Sequence, residues 1–326
     1  MKNIRMFLAP LLLCAFATFD QGFAAQAEKY PSKPIRIVIG FPLTGGTGMY
    51  ARILQEEVCP TLGKTCVVDN RLGVSGMMAN EIVSNAAPDG YTFLVGPMGA
   101  IVLAPQTVQI NFDRKKIAPV AYLGASPLLL VVHTSLPAKT VGELIALAKA
   151  RPGGLSFASS GHGGIVHIAA ELFNKMARTE MMHVPYKGIP LALVELIAGE
   201  VKVVFANPSA VLGVVKAGRL RALAVTSAKR NPSALDIATV AESGLPGYEL
   251  TNWAGLFAPR GIPPSVETMW HQMVAHFFET PGVKRRLMEG WAIPEVKSIA
   301  AFKVQIEGEY EANGLIINAL GLKKTQ

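Results

Sequence analysis

The sequence predicts an α/β protein built as two lobes. Strand-like and helix-like stretches alternate along the chain, which is typical of an α/β fold. A glycine-rich turn joins a strand to a helix at Phe41–Arg52, "FPLTGGTGMYAR", and a second such turn, "SGHGG", follows the strand-like "GLSFAS" in the middle of the chain. Because ligands lie beyond the carboxyl ends of strands in open α/β sheets, two such turns facing each other would clamp one small ligand.

The first residues predict export. Two basic residues precede an apolar run from Met6 to about Ala17, and small residues follow as far as Ala25-Gln26-Ala27. This pattern is typical of a secretory signal peptide over residues 1–27, for which we expect cleavage after Ala27. A membrane anchor would need about 20 consecutive apolar residues. The run here is shorter, and Asp20 interrupts its far side.

Composition limits the classes of partner. The chain has 326 residues and a formal net charge of +8, and the part after the signal peptide is long enough for two domains. Its Lys and Arg residues are scattered and its aromatic residues are few, which is not the pattern of a nucleic-acid-binding protein. We therefore expect no nucleic-acid partner, and a mild preference for acidic ligands.

Two cysteines remain after processing, Cys59 and Cys66, in "EEVCPTLGKTCVVDN". They flank a Pro/Gly turn between the first predicted helix and the second strand. A metal site would need further ligands nearby, and the local sequence offers none. An oxidising compartment favours a disulfide instead, which we predict for this pair.

The first glycine-rich turn lacks the marks of a nucleotide site. A P-loop needs a lysine after its last glycine, where this chain has Met49, and the G-x-G-x-x-G spacing is absent. Asp69, at the end of "TCVVD", resembles a ribose-binding acid, but without that spacing we interpret it as a cap or turn residue. We expect no cofactor. The turn still predicts an anion cradle, because the first N–H groups of a helix have no partner within it.

Catalytic and metal-binding patterns are weak. Ser159 and Ser160 lie at a strand-to-helix turn, but the G-x-S-x-G motif of hydrolases is absent. His162 and His167 are five positions apart, about 140° around a helix, so they are not expected to share a metal-binding face. We predict neither an enzyme nor a metal site, and an exported hydrolase using Ser160 stays the alternative.

Several blocks in consistent order resemble the Bug receptors, the substrate-binding proteins of tripartite tricarboxylate transporters. They include "YPSKPIRIVIGFPLTGGTGMYAR", "APDGYTFLVG", "HVPYKG" and "VAESGLPGYELTNWAGLFAP". The resemblance runs from about Tyr30 almost to the C-terminus. It implies a type II periplasmic-binding-protein fold, in which two hinge strands join two α/β lobes around a ligand cleft. We expect one lobe over 28–126 and 250–326, and the other over 127–249.

The resemblance also implies partners and a site. We expect a periplasmic monomer that binds a small organic carboxylate and delivers it to transporter subunits in the inner membrane. The carboxylate would lie between the two glycine-rich turns, held by backbone N–H groups and hydroxyls. The implied ligand-binding residues are Phe41, Pro42, Thr44, Gly45, Gly46, Thr47 and Gly48 from the first lobe, and Ser159, Ser160, Gly161, His162, Gly163, Gly164, Phe205, Ala206 and Asn207 from the second.

Two positions depart from the family pattern. The family usually has G-G-T-D in the first turn and F-D-N in the later loop, where this chain has Gly48 and Ala206. Without these acids we expect a more positive and more apolar site, which favours a plain mono- or dicarboxylate, aromatic ones included, over an amino acid. Two alternatives remain: a degenerate site that binds its ligand poorly, and a ligand-sensing co-receptor for a two-component system.

Overall fold

The structure, a computed structural model, describes residues 30–110 and 112–324. The predicted signal peptide and its cleavage site at Ala27 lie outside these residues. The strands are β1 (Ile35–Ile39), β2 (Cys66–Asn70), β3 (Thr92–Pro97), β4 (Ile117–Pro127), β5 (Leu129–His133), β6 (Ser156–Ser159), β7 (Met182–Pro185), β8 (Val203–Ala206), β9 (Leu220–Val225) and β10 (Thr251–Pro259). The α-helices are α1 (Gly46–Ile53), α2 (Met77–Ser84), α3 (Ala104–Thr107), α4 (Val141–Ala150), α5 (Ile165–Ala177), α6 (Ile189–Ala198), α7 (Pro208–Lys216), α8 (Pro264–Phe278), α9 (Pro281–Glu289) and α10 (Ile299–Ala319).

Two five-stranded sheets share one arrangement. In the first, with order β2-β1-β3-β10-β4, β1 runs parallel to β2 and β3, while β10 runs antiparallel to β3 and β4. The second, with order β7-β6-β8-β5-β9, repeats this pattern with β6 in the place of β1 and β5 in the place of β10. The two glycine-rich turns therefore leave the carboxyl ends of equivalent strands, one in each sheet.

The chain crosses between the sheets at two segments that Thr226 holds together. Leu128 alone separates β4 from β5, and Leu250 precedes β10. The Thr226 hydroxyl donates to the carbonyl of Leu250 at 2.6 Å and accepts from the N–H of Leu128 at 2.8 Å. Its backbone N–H and carbonyl pair with the same two residues, each at 2.9 Å. Since Thr226 is fully buried, the backbone groups at both crossings depend on it for partners.

The long C-terminal helix packs on the first sheet, as its helical spacing of apolar residues predicts. It buries Phe302, Ile306 and Ile317, and the Phe302 ring packs edge-on against Tyr122 of β4 and Trp253 of β10. No helix among the described residues is long and apolar enough to cross a membrane.

A disulfide joins Cys59 to Cys66, whose Cα atoms lie 5.9 Å apart. Cys59 opens the short 3-10 turn Cys59–Leu62, which follows the end of the first helical segment, and Cys66 is the first residue of β2. Both residues are buried, so the link fixes the helical segment to the edge strand of the first sheet.

We expect Thr226→Val to lower the free energy of unfolding strongly, although valine has nearly the same shape as threonine. It leaves the Leu128 N–H and the Leu250 carbonyl without their side-chain partner, at a cost of about 1–3 kcal/mol for each buried group. Urea unfolding measures the loss, and Thr226→Ser, which keeps the hydroxyl, is the control. Equal stability of the valine variant and the wild type would contradict this role.

Candidate functional site

A cavity lies between the carboxyl ends of the two sheets. It contains about 530 Å³ of space outside protein atoms, a volume that includes solvent at its open side, and both lobes form its wall. The lining residues are Phe41, Pro42, Gly45, Gly46, Thr47, Pro97, Gly99 and Asn252 from the side of the first sheet, and Ser160, Gly164, Ile165, Val166, Ile189, Pro190, Asn207 and Ala210 from the other.

Four helices, α1, α5, α6 and α7, begin at this cavity. None of them has a side-chain hydrogen bond capping its N-terminus. Among the other α-helices of the described chain, side chains cap α4 and α10 but not α2, α3, α8 or α9. The N-terminus of a helix carries a partial positive charge, so the four helices together make the cavity attractive to an anion.

The first turns of α1 and α5 supply the free donors. As the first two residues of their helices, Gly46, Thr47, Ile165 and Val166 have N–H groups with no intrahelical acceptor. No hydrogen bond from these groups to another part of the described chain occurs. Proline lies in the first two positions of both α6 and α7, which removes one N–H from each. These two helices therefore contribute mainly through their dipoles.

Three N–H groups of the predicted glycine loops are already engaged within the protein. Gly45 donates to the Pro42 carbonyl at 2.9 Å, Gly161 to the Ser159 hydroxyl at 3.2 Å, and Gly163 to Nδ1 of His167 at 3.0 Å. The free donors Gly46 and Thr47 therefore belong to the predicted set, whereas Ile165 and Val166 follow the predicted residues of the second turn.

Among the described residues, none that lines the cavity carries a charged side chain. Its polar side chains are Thr47, Ser160, Asn207 and Asn252. Asn252 donates to Oδ1 of Asn207 at 3.1 Å, joining the two sides of the cleft. The Oδ1 atom of Asn252 is buried and accepts no hydrogen bond from the described residues. An anion here would rest on backbone donors and hydroxyls, with an apolar surface around the rest of it.

The structure brings together only part of the predicted ligand-binding set. Phe41, Pro42, Gly45, Gly46, Thr47, Ser160, Gly164 and Asn207 line the cavity. Gly161 and His162 line a second cavity beside it, of about 650 Å³, which Phe41 and Ser160 also border. The others line neither cavity: Thr44 is exposed, while Gly48, Ser159, Gly163, Phe205 and Ala206 are buried.

The two departures from the family pattern do not face the ligand space, contrary to expectation. A Cβ atom on Gly48 would lie 2.0 Å from the carbonyl oxygen of Leu43, because the backbone of the turn fills that place. Ala206 is fully buried in β8, where it pairs with Leu129. The uncharged character of the cavity therefore comes from the residues that do line it.

The prediction that His162 and His167 lie on different faces was wrong. His162 precedes α5, which begins at Ile165, so helical spacing does not relate the two side chains. Their ring centroids lie 4.7 Å apart, and the ring of His183 stacks on that of His167 at 3.8 Å. The three histidines form a group beside the second cavity.

Ser159 also lies near a histidine, but it is not placed as a nucleophile. Its hydroxyl is 2.6 Å from Nε2 of His183 and donates to the Gly161 carbonyl at 3.0 Å. Ser159 is fully buried, so a substrate cannot reach this hydroxyl. Its hydrogen bonds instead fix the second glycine-rich turn.

Other cavity residues were missed by the sequence reasoning. Gly99, Ile165, Ile189 and Pro190 lie in the first turn of helical segments that follow β3, β6 and β7. The rule that ligands lie beyond the carboxyl ends of strands could have found them. Asn252 lies inside β10, where no local pattern marks it.

The two sides of the cleft touch at several points. Ser75 donates to the His162 carbonyl at 2.6 Å, and Thr107 donates to the Gly163 carbonyl at 3.2 Å. Gly163 has a φ of +71°, and a Cβ atom there would lie 1.9 Å from Oγ1 of Thr107. Glycine is therefore required at this position for the two sides to approach so closely.

These features define a two-lobed solute-binding protein, with its ligand space between two sheets of the same topology. Residues 50–322 match the tripartite tricarboxylate transporter family receptor, TctC. The chain therefore belongs to this family, and the predicted family and fold class are confirmed. The family consists of receptors and not of enzymes.

Similar proteins agree with this assignment. Protein BugT of Bordetella pertussis is 30% identical over 307 residues, which cover 93% of this chain and 94% of BugT. The structure of Rpa4515 from R. palustris with adipate has a TM-score of 0.87 and 33% identity, covering 90% of this chain and 98% of the other. MatC from Rhodopseudomonas palustris with bound malate has a TM-score of 0.83 and 27% identity, covering 88% and 100%.

Proposed function

We propose that this protein is a periplasmic receptor that captures a small carboxylate for a tripartite tricarboxylate-type transporter. The observation that carries the proposal is the set of free N–H groups at the starts of α1 and α5, which face one uncharged cavity from both sheets. A carboxylate placed between them would accept charge-assisted hydrogen bonds, which are shorter and stronger than neutral ones.

The cavity wall indicates the chemistry of the ligand beyond its carboxylate group. Phe41, Pro97, Ile165, Val166 and Ile189 present apolar surface, which suits an aliphatic or aromatic body of a mono- or dicarboxylate. The described residues of the wall include no carboxylate to pair with an ammonium group, whose burial without a counter-charge is costly. That adipate and malate occupy similar proteins supports a ligand of this class.

The setting of the receptor follows from the same proposal. Cleavage after Ala27 would release a mature monomer into the periplasm, where it would deliver its ligand to transporter subunits in the inner membrane. The family match and the periplasmic binding proteins among similar structures support this setting.

Ligand capture would close the cleft by a hinge. The proposed lobes, 28–126 with 250–326 and 127–249, would rotate about the crossings at Leu128 and Leu250. Hydrogen bonds from Ser75 and Thr107 to the second glycine-rich turn would exist only in the closed form, so they favour closure. The ligand would shift this equilibrium because it contacts both lobes only when the cleft is closed.

Calorimetric titration of the mature protein with paired ligands tests the proposal. We expect adipate to bind at least tenfold more tightly than 2-aminoadipate, because the amide oxygen of Asn252 cannot offset the charge of a buried ammonium. Affinities for malate, benzoate and longer dicarboxylates would show which size and shape of ligand body the cavity prefers. Tighter binding of the amino compound, or of neutral amides over acids, would contradict the proposal.

Gly46→Val should lower affinity for the tightest carboxylate of that panel about a hundredfold or more. Its Cβ atom would lie 2.9 Å from Nδ2 of Asn207, and the side chain would intrude on the anion space. Loss of two charge-assisted hydrogen bonds, at roughly 1.5–3 kcal/mol each, accounts for this factor. Gly308→Val is the control, since Gly308 is a helical glycine with open space around it. Unchanged affinity in a folded Gly46→Val protein would mean that the ligand binds elsewhere.

Ser75→Ala should open the cleft of the free protein. Losing one hydrogen bond of about 0.5–1.5 kcal/mol shifts a two-state equilibrium several-fold, which small-angle scattering would detect as a larger radius of gyration. A saturating carboxylate should restore the compact form. Ser84→Ala, which removes a hydrogen bond within α2, should leave the profile unchanged. Identical profiles for Ser75→Ala and the wild type would contradict this closure mechanism.

A further inference from the structure

Three histidine side chains meet beside the second glycine-rich turn, outside the cavity assigned to the carboxylate. One ring nitrogen from each of His162, His167 and His183 lies within 4.8 Å of the other two. His162 comes from the turn, His167 from the first turn of α5 and His183 from β7. Three elements of one lobe therefore place imidazole groups at one point.

Two of these rings have a nitrogen available as a ligand. The Ser159 hydroxyl donates its proton to the Gly161 carbonyl. In its 2.6 Å contact with Nε2 of His183 the hydroxyl oxygen is therefore the acceptor, and Nε2 of His183 carries the proton. This leaves the lone pair of His183 on Nδ1. The His162 ring has no hydrogen bond to the described residues, and both of its nitrogens are free. An imidazole whose other N–H is held by a neighbour is the usual form of a metal ligand.

The third ring is engaged in the absence of an ion. Nδ1 of His167 accepts the Gly163 N–H at 3.0 Å, so its proton lies on Nε2, which is 3.6 Å from Oε1 of Glu171. Coordination of an ion through either nitrogen would release the Gly163 N–H. An ion on Nδ1 would take the lone pair that accepts from Gly163, and an ion on Nε2 would require the ring proton to move to Nδ1. An ion bound here would therefore alter the glycine-rich turn.

We propose that His162, His167 and His183 bind one divalent transition-metal ion of the Zn²⁺ type. Imidazole nitrogen is a preferred ligand of Zn²⁺, Cu²⁺ and Ni²⁺, whereas Mg²⁺ and Ca²⁺ prefer oxygen. Tetrahedral Zn–N bonds of about 2.0–2.1 Å place ligand nitrogens about 3.4 Å apart, so the three rings would have to turn inwards, and the stacked rings of His167 and His183 would have to tilt apart, to bind one ion. His162 is exposed and borders the second cavity, which gives the ion an entry route and leaves a fourth position for water.

Competition with a chromophoric chelator tests the site on mature protein that carries no affinity tag. We expect one Zn²⁺ per chain and no competition by Mg²⁺. His162→Asn should weaken Zn²⁺ binding about tenfold or more while leaving the fold intact, because this side chain is exposed and makes no hydrogen bond to the described part of the chain. His276→Asn is the control, since His276 is exposed on α8 in the other part of the molecule.

Co²⁺ gives a second readout that does not depend on the carboxylate ligand. Bound to three imidazoles and water, it should show the visible absorption of a four-coordinate ion, and this absorption should be lost in His162→Asn and in His183→Gln. Folded wild-type protein that binds no Zn²⁺, or a His162→Asn protein that binds Zn²⁺ as tightly as the wild type, would overturn the proposal. Either result would leave the carboxylate site untouched.

Discussion

The uncapped N-termini of α1 and α5 are the feature on which the proposed site depends. Each presents N–H groups that no acceptor in the described chain satisfies, and each follows a glycine that carries no side chain to cap it. Unpaired donors in a closing cleft are costly unless something accepts from them. An anion that reaches both helices at once supplies acceptors to both lobes, which links its capture to closure of the cleft.

The repeated sheet topology explains how two distant parts of the chain come to border one cavity. Because β1 and β6 occupy equivalent places in their sheets, the helices that follow them point at the same space from opposite sides. Thr226 ties the crossings at Leu128 and Leu250 into one unit.

The sequence predicted the fold more fully than the site. The alternation of elements and the two glycine-rich turns were enough to indicate two α/β lobes with a cleft, and the family blocks named the fold class. Gly46, Thr47 and Ser160, which the sequence indicated from local turn chemistry, line the cavity. Asn252 was missed since only the pairing of β10 brings it to the cleft. His162 was misjudged because helical spacing was applied to a residue that precedes the helix.

A crystal structure with the tightest carboxylate of the panel tests the central claim most directly. The account predicts carboxylate oxygens at hydrogen-bond distance, about 2.7–3.2 Å, from backbone nitrogens at the start of α1 and of α5, with no Lys, Arg or His side chain in contact. A carboxylate held instead by Lys187 or by the histidines of the second cavity would contradict it.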